Sequence, residues 1–352
     1  PLMFMQYGIQ MFGFNYLGWR FFSALFGALS VAVFYLLVNK LFSSRAALIA
    51  SLLLSIDFLH LALSRVALVD IYLFFFLITA FYFLAQSLEH EISEGLLLSG
   101  TFFGLALSTQ WTAAFSILAG LVIYLSCSKD PKRISKGMIR LVVYPALLCV
   151  AALLYLDLSA GLNAFSWIKY GANDLVYRGI LAYHKMSGAS PLGWPLLLRS
   201  TPLFFTQMGA GLVQAVIAIG NPAVYWPIIP VMLFLINRFA NGKDLTLPYL
   251  FVMIGFFGSY LPWAIYEALG KLYVVNAGNM LFYYFLPSVP FFLAGLAALL
   301  DRWLDDRYGK ILVPVYLVLV FVLFLAFSPV IYGFAIPPVY LNCLNWLPGW
   351  IP

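Results

Sequence analysis

The stretch 55–70, S-I-D-F-L-H-L-A-L-S-R-V-A-L-V-D, decides how the chain is read. It joins two apolar runs and carries five polar groups: Asp57, His60, Ser64, Arg65 and Asp70. Asp57, His60 and Ser64 recur three and seven residues apart, so a helix presents them on one face. Arg65 and Asp70 are five residues apart. At about 100° per residue, one continuous helix would hold them about 140° apart, too far to pair. A helix that stops near Arg65, followed by one that begins near Asp70, would let them face each other. A charged group costs about 2.5–3.5 kcal/mol at mid-bilayer on insertion scales and less near the interface. Such a gathering predicts either a pocket for a charged substrate or a salt bridge tying two helices, with Arg65 marking the headgroup level.

Composition makes the surroundings of this stretch a membrane. Of 352 residues, 64% are hydrophobic and only 9% charged, against about 25% charged in soluble domains. Mean hydropathy is +0.98. The chain reads as an all-α polytopic membrane protein, a single transmembrane domain over residues 1–352. The net charge of +6 then reports topology rather than a nucleic-acid partner. Cys127, Cys149 and Cys343 are scattered, with neither metal-ligand nor disulfide spacing.

Apolar runs of spanning length predict about ten helices, at 17–39, 46–64, 67–87, 95–109, 111–127, 139–157, 222–237, 246–266, 281–300 and 311–332. The fourth and fifth are short. Residues 1–15, broken by Gly8, Gly13 and Asn15, read as interfacial. Under this count Lys40, Arg45, Lys129, Lys132, Arg133, Lys136, Arg140, Arg238, Lys243, Arg302, Arg307 and Lys310 share one side. The basic-rich side is cytoplasmic, so the 64–70 junction faces outward. The segment 158–221 is then a long outer loop, and a loop of this length is expected to be functional. Its last part, 203–219, is apolar enough for a span. A span there would move the later cations outside, so it reads as interfacial or re-entrant. The turn Glu89–Glu94 reads as a solvated helix end.

Several stretches, taken in order, resemble one family. They are P-L at 1–2, F-G-F-N-Y-L-G-W-R at 12–20, D-F-L-H-L-A-L-S-R-V-A-L-V-D at 57–70, G-L-A-L-S-T-Q-W-T at 104–112, A-Y-H at 182–184, G-W-P-L-L-L-R at 193–199, I-G-N-P-A-V-Y-W at 219–226, Y-Y-F-L-P-S-V-P-F at 283–291 and N-W-L-P-G-W at 345–350. They are similar to the protein O-mannosyltransferases, which are GT-C glycosyltransferases, in their prokaryotic form. The resemblance implies transfer of a sugar, usually mannose, from a polyprenyl (dolichyl) phosphate to Ser or Thr hydroxyls of proteins on the extracytoplasmic face of the prokaryotic cytoplasmic membrane. It also implies membrane lipid as surroundings and a homo- or hetero-dimer. No cofactor follows from it, and a divalent metal stays open. The family's general base lies just upstream of a His-Pro-Pro-Leu-Gly motif, and Pro1 aligns with that motif's second proline. The resemblance therefore places one more span and the base before Pro1, and residues 1–352 alone are expected to be inactive.

Such chemistry needs a carboxylate for the acceptor proton and cationic groups for the departing phosphate. Within the chain, Arg65 is the first candidate for the phosphate, because a guanidinium grips phosphate with two N–H groups. An ion pair to Asp70 is its structural alternative. Asp70 could orient Arg65 or act as a second acid. His60 reads as a hydrogen-bonded partner of Asp57, or as a substrate contact. Arg199 is a second phosphate candidate, against a snorkelling interfacial arginine. Tyr183, His184, Trp111 and Trp194 could touch sugar or acceptor, or serve as interfacial anchors. Gln110 stands where the family often has Lys, Tyr284 where relatives often have His, and Gly278 or Asn279 where Arg is frequent. Three further hypotheses remain: a lipid- or glycan-directed transferase like the aminoarabinose transferases, a transporter or flippase, and an inactive partner subunit.

Overall fold

The computed structural model describes residues 2–90, 93–127, 130–159, 161, 189–241, 246–272 and 280–351. Helix α1 (Leu2–Phe12) leads into α2 (Tyr16–Leu41) through a tight turn. Asn15 caps α2, its side chain accepting from the Leu17 and Gly18 amides at 2.9 and 3.0 Å. Then come α3 (Ser44–Ser55), α4 (Phe58–Arg65), α5 (Asp70–His90), α6 (Ser93–Thr109), α7 (Ala113–Ser126), α8 (Pro131–Met138) and α9 (Tyr144–Ser159). After the long loop follow α10 (Pro222–Tyr225), α11 (Ile228–Ala240), α12 (Leu247–Leu272), α13 (Val289–Trp303), α14 (Gly309–Tyr332) and a short α15 (Pro338–Cys343). A π turn joins α8 to α9, so 131–159 is one span.

Among the described residues, seven helical segments are long and apolar enough to cross a membrane, or eight if α3 and α4 count as one. That is fewer than the ten expected. The α6 and α7 helices, 17 and 14 residues long, fall short of a full span. The run 46–64 is not one helix either. It bends by 57° between α3 and α4. Asp57 makes the break: its side chain accepts the His60 amide at 2.9 Å and starts a new helix.

The segment 203–219 is neither a helix nor a re-entrant one. It forms β1 (Thr201–Gln207) and β2 (Val213–Ala218), and β3 (Ala335–Ile336) completes a three-stranded antiparallel sheet in the order β1-β2-β3. A fold expected to be all-α thus carries a small sheet. Gly333, at φ +72°, ends α14 in the left-handed region and turns the chain into β3.

The core lies among α5, α6, α12 and α13. There Phe81 meets Phe103, Phe251 and Phe291 with ring centroids 4.8–5.7 Å apart. Small residues let helices approach where lipid supplies no hydrophobic drive. Gly258 of α12 lies on Ala119 of α7, beside a Ser116–Ser259 hydroxyl contact of 3.0 Å. Gly27 of α2 receives Ser64 of α4, leaving no room for a Cβ. Gly27→Ala is therefore expected to destabilise the protein by about 1–3 kcal/mol through overpacking. Gly209→Ala, with open space around it and an ordinary φ, should be neutral. Thermal unfolding of both variants in detergent checks the contrast.

Candidate site at the end of α4

Three elements meet at one end of the bundle. Arg65 closes α4, Arg20 lies in the second turn of α2, and Tyr332 is the last residue of α14. The Arg65 guanidinium carbon sits 4.3 Å from the Tyr332 ring centroid. A cation over an aromatic face is worth about 0.5–2 kcal/mol. Arg20 brings a second positive charge within electrostatic reach of Arg65. Neither arginine has a carboxylate partner among the described residues. The ion pair between Arg65 and Asp70 is thus not formed, although α4 ends and α5 begins where that pairing required. Asp70 is buried at the start of α5 and engaged elsewhere. Two guanidiniums at one end of the bundle, with no carboxylate partner among the described residues, have the chemistry of an anion site.

Below them lies a buried polar layer. Asp57 is fully buried, with the Tyr225 hydroxyl and the Asn221 amide beside its carboxylate. Tyr225 falls short of full hydrogen-bond geometry to it. Asn221 caps α10 and donates to the Val320 carbonyl of α14 at 3.0 Å. His60 does not bond Asp57 through its ring, as the sequence suggested; the backbone amide makes that contact. The imidazole packs on Phe74 at 5.4 Å, and both its nitrogens are unpaired.

A second group forms around Trp263 of α12. Trp111, in the α6–α7 turn and 57% exposed, lies 6.2 Å from it. Trp194, fully buried, lies at the same distance, and Tyr284 stacks on it at 5.1 Å with planes 6° apart. The structure therefore brings the nominated Trp111 and Trp194 together around one indole. Arg199 is exposed, its side chain running beside Gly349. Tyr183 and His184 lie outside the described residues.

Two residues escaped the sequence reading. Arg20 looked like a topology marker, because 45 residues separate it from Arg65. Glu267 is the other. It is fully buried near the end of α12, where its two oxygens accept from the Ser190 hydroxyl at 2.6 and 2.7 Å, and one also accepts the Leu192 amide at 3.1 Å. The Tyr260 hydroxyl adds a bond to the Pro191 carbonyl at 3.1 Å. A lone carboxylate in an apolar span was the available signal. Together these bonds fasten the turn 191–196 onto α12. No group of three or more potential metal ligands occurs among the described residues.

Residues 1–156 match the family described as dolichyl-phosphate-mannose-protein mannosyltransferase. A polyprenol-phosphate-mannose–protein mannosyltransferase of Corynebacterium glutamicum is 27% identical, over 97% of this chain and 79% of its own length. Its namesake in Mycobacterium tuberculosis is 25% identical, with 97% and 78% covered. Among solved structures, the Saccharomyces cerevisiae Pmt1–Pmt2 complex bound to the sugar donor superposes with a TM-score of 0.77 at 14% identity, covering 96% of this chain and 81% of that one. ArnT from Cupriavidus metallidurans bound to undecaprenyl phosphate gives 0.58 at 16% identity, covering 88% and 50%.

Glu267→Gln keeps the shape but removes the carboxylate that accepts from both the Ser190 hydroxyl and the Leu192 amide. It is expected to lose about 1.5–3 kcal/mol, seen as a lower melting temperature and faster proteolysis within 189–199.

Proposed function

We infer, for a chain that belongs to the protein O-mannosyltransferase family of GT-C membrane enzymes, that it transfers mannose from a polyprenyl-phosphate carrier to Ser or Thr hydroxyls of proteins. The protein is an integral, multi-pass membrane glycosyltransferase. The observation that carries the site assignment is the Arg20–Arg65 pair, with Tyr332 as backing. In this reaction the acceptor oxygen attacks the anomeric carbon of the sugar. The bond from that carbon to the phosphate oxygen breaks, and the hydroxyl proton passes to a carboxylate. Negative charge grows on the departing polyprenyl phosphate.

Arg65 and Arg20 meet that charge in our reading. They repel one another until an anion lies between them, so their charge is best satisfied by the product phosphate. Tyr332 holds Arg65 by its face and leaves the N–H edge for the phosphate. The missing lysine at Gln110 and the missing arginine at 278–279 remove cations that relatives often have, and Arg20 supplies a second one. The described part of the outer loop, 189–221, shares this end of the bundle. Arg65 stacks on Tyr332, Tyr332 stacks on Phe334 at 5.8 Å, and the adjoining β3 pairs with β2. We assign this end to the extracytoplasmic face, because Arg45, Arg302, Arg307 and Lys310 gather at the other. Trp111 is assigned to sugar contact and Arg199 to a second phosphate contact on the same face.

Arg65→Ala is expected to weaken binding of labelled polyprenyl-phosphate mannose by about tenfold or more. Arg20→Ala should follow in the same direction, and Arg65→Lys should keep part of the binding. Binding by Arg65→Ala equal to that of the parent chain would remove the assignment.

A further inference from the structure

At the opposite end of the bundle, a cavity of about 200 Å³ opens between the end of α2, the start of α3, the start of α12 and the end of α13. Phe42, Ser43, Tyr249, Ala298, Asp301 and Arg302 line it. Its acidic wall is held by Arg45 and Ser43. The Nε of Arg45 lies 2.8 Å from one Asp301 oxygen, and the Ser43 hydroxyl donates to the other at 2.6 Å. Arg45 also reaches Asp305 at 2.9 Å.

Arg302 is different. It is exposed, and its recorded bond is a donation to the Tyr249 hydroxyl oxygen at 3.2 Å. It has no carboxylate partner among the described residues. Because Tyr249 accepts from Arg302, its own hydroxyl hydrogen is free to donate. The cavity thus offers a guanidinium with no direct ion pair among the described residues and a phenol O–H on one side. The Phe42 ring, edge-on to Tyr249 at 5.3 Å, and Ala298 give it an apolar flank.

We propose that this cavity binds the phosphodiester headgroup of an anionic membrane phospholipid, with its phosphate on Arg302 and Tyr249. Three observations favour a lipid over a soluble anion. The walls are the ends of membrane-spanning helices, so the cavity lies at headgroup level. Trp303, next to Arg302, is 58% exposed, as an indole at a lipid interface is. The α2 and α3 helices that border the cavity carry exposed Leu36, Leu48 and Leu52, which are suitable partners for acyl chains. A pocket between helix ends that presents an arginine to the headgroup layer is a recognised form of lipid site. This inference does not depend on the transferase assignment, because the cavity is at the other end of the molecule from Arg65.

The chain, purified in detergent, is titrated with dioctanoyl-phosphatidylglycerol and followed by native mass spectrometry. One lipid is expected to be retained by the parent chain and by Arg307→Ala. Arg302→Ala, a surface change that leaves the core intact, should weaken retention about tenfold or more, and Tyr249→Phe should weaken it less. Dioctanoyl-phosphatidylcholine should not be retained, and excess inorganic phosphate should not displace the lipid. Equal retention by Arg302→Ala and the parent chain would overturn the proposal. So would equal retention of phosphatidylcholine, or displacement by inorganic phosphate, which would mark a free-anion site.

Discussion

Arg20 and Arg65 sit at the same end of the bundle, within electrostatic reach of each other, and like charges repel. Among the described residues no carboxylate lies between them. Part of the compensation is the Tyr332 ring against Arg65. The rest is left to solvent or to an anion. A phosphate entering between two such groups gains twice, from its own attraction and from relief of their repulsion. This is why the pair, rather than either residue alone, carries the assignment.

The elements around the pair fix its geometry. Asp57 starts α4 after a bend, and without that bend Arg65 would leave on a different face. Ser64 fits against Gly27, which ties α4 to the helix that bears Arg20. Gly333 ends α14 directly after Tyr332 and leads into the sheet. Burying Asp57 and His60 in such a place is costly, and unpaired buried groups are rare in stable proteins. Their neighbour Asn221 ties α10 to α14, so the layer also binds distant spans together. The cap made by Glu267 works on the same principle: a buried carboxylate pays its desolvation cost by gathering donors from one loop.

Much of this was legible in the sequence. Long apolar runs named most of the spans, because a bilayer allows few other arrangements for them. The polar face of 57–64 and the charged junction at 65–70 were also visible, and the resemblance to one family followed from motifs in order. The failures have physical causes. The break fell at Asp57, not only after Arg65, because a buried side-chain cap competes with helix continuation. Strand β1 was hidden because a register shift between Pro202 and Phe204 disturbs its alternation. Strand β2 was hidden because its residues are nearly all apolar, so period two leaves no polar trace. The approach of Arg20 to Arg65 depends on how α2 and α4 pack, which no local pattern encodes.

The account stands on the pair and the 189–221 segment facing the same compartment, opposite Arg302. Its most direct test is cysteine accessibility in a background with Cys127, Cys149 and Cys343 replaced. Single cysteines go at Val66, Leu192 and Tyr308, and intact cells are treated with a membrane-impermeant maleimide. The account predicts labelling of positions 66 and 192 from outside, and of position 308 only after permeabilisation. Labelling that puts 66 and 192 on opposite sides of the membrane would contradict it.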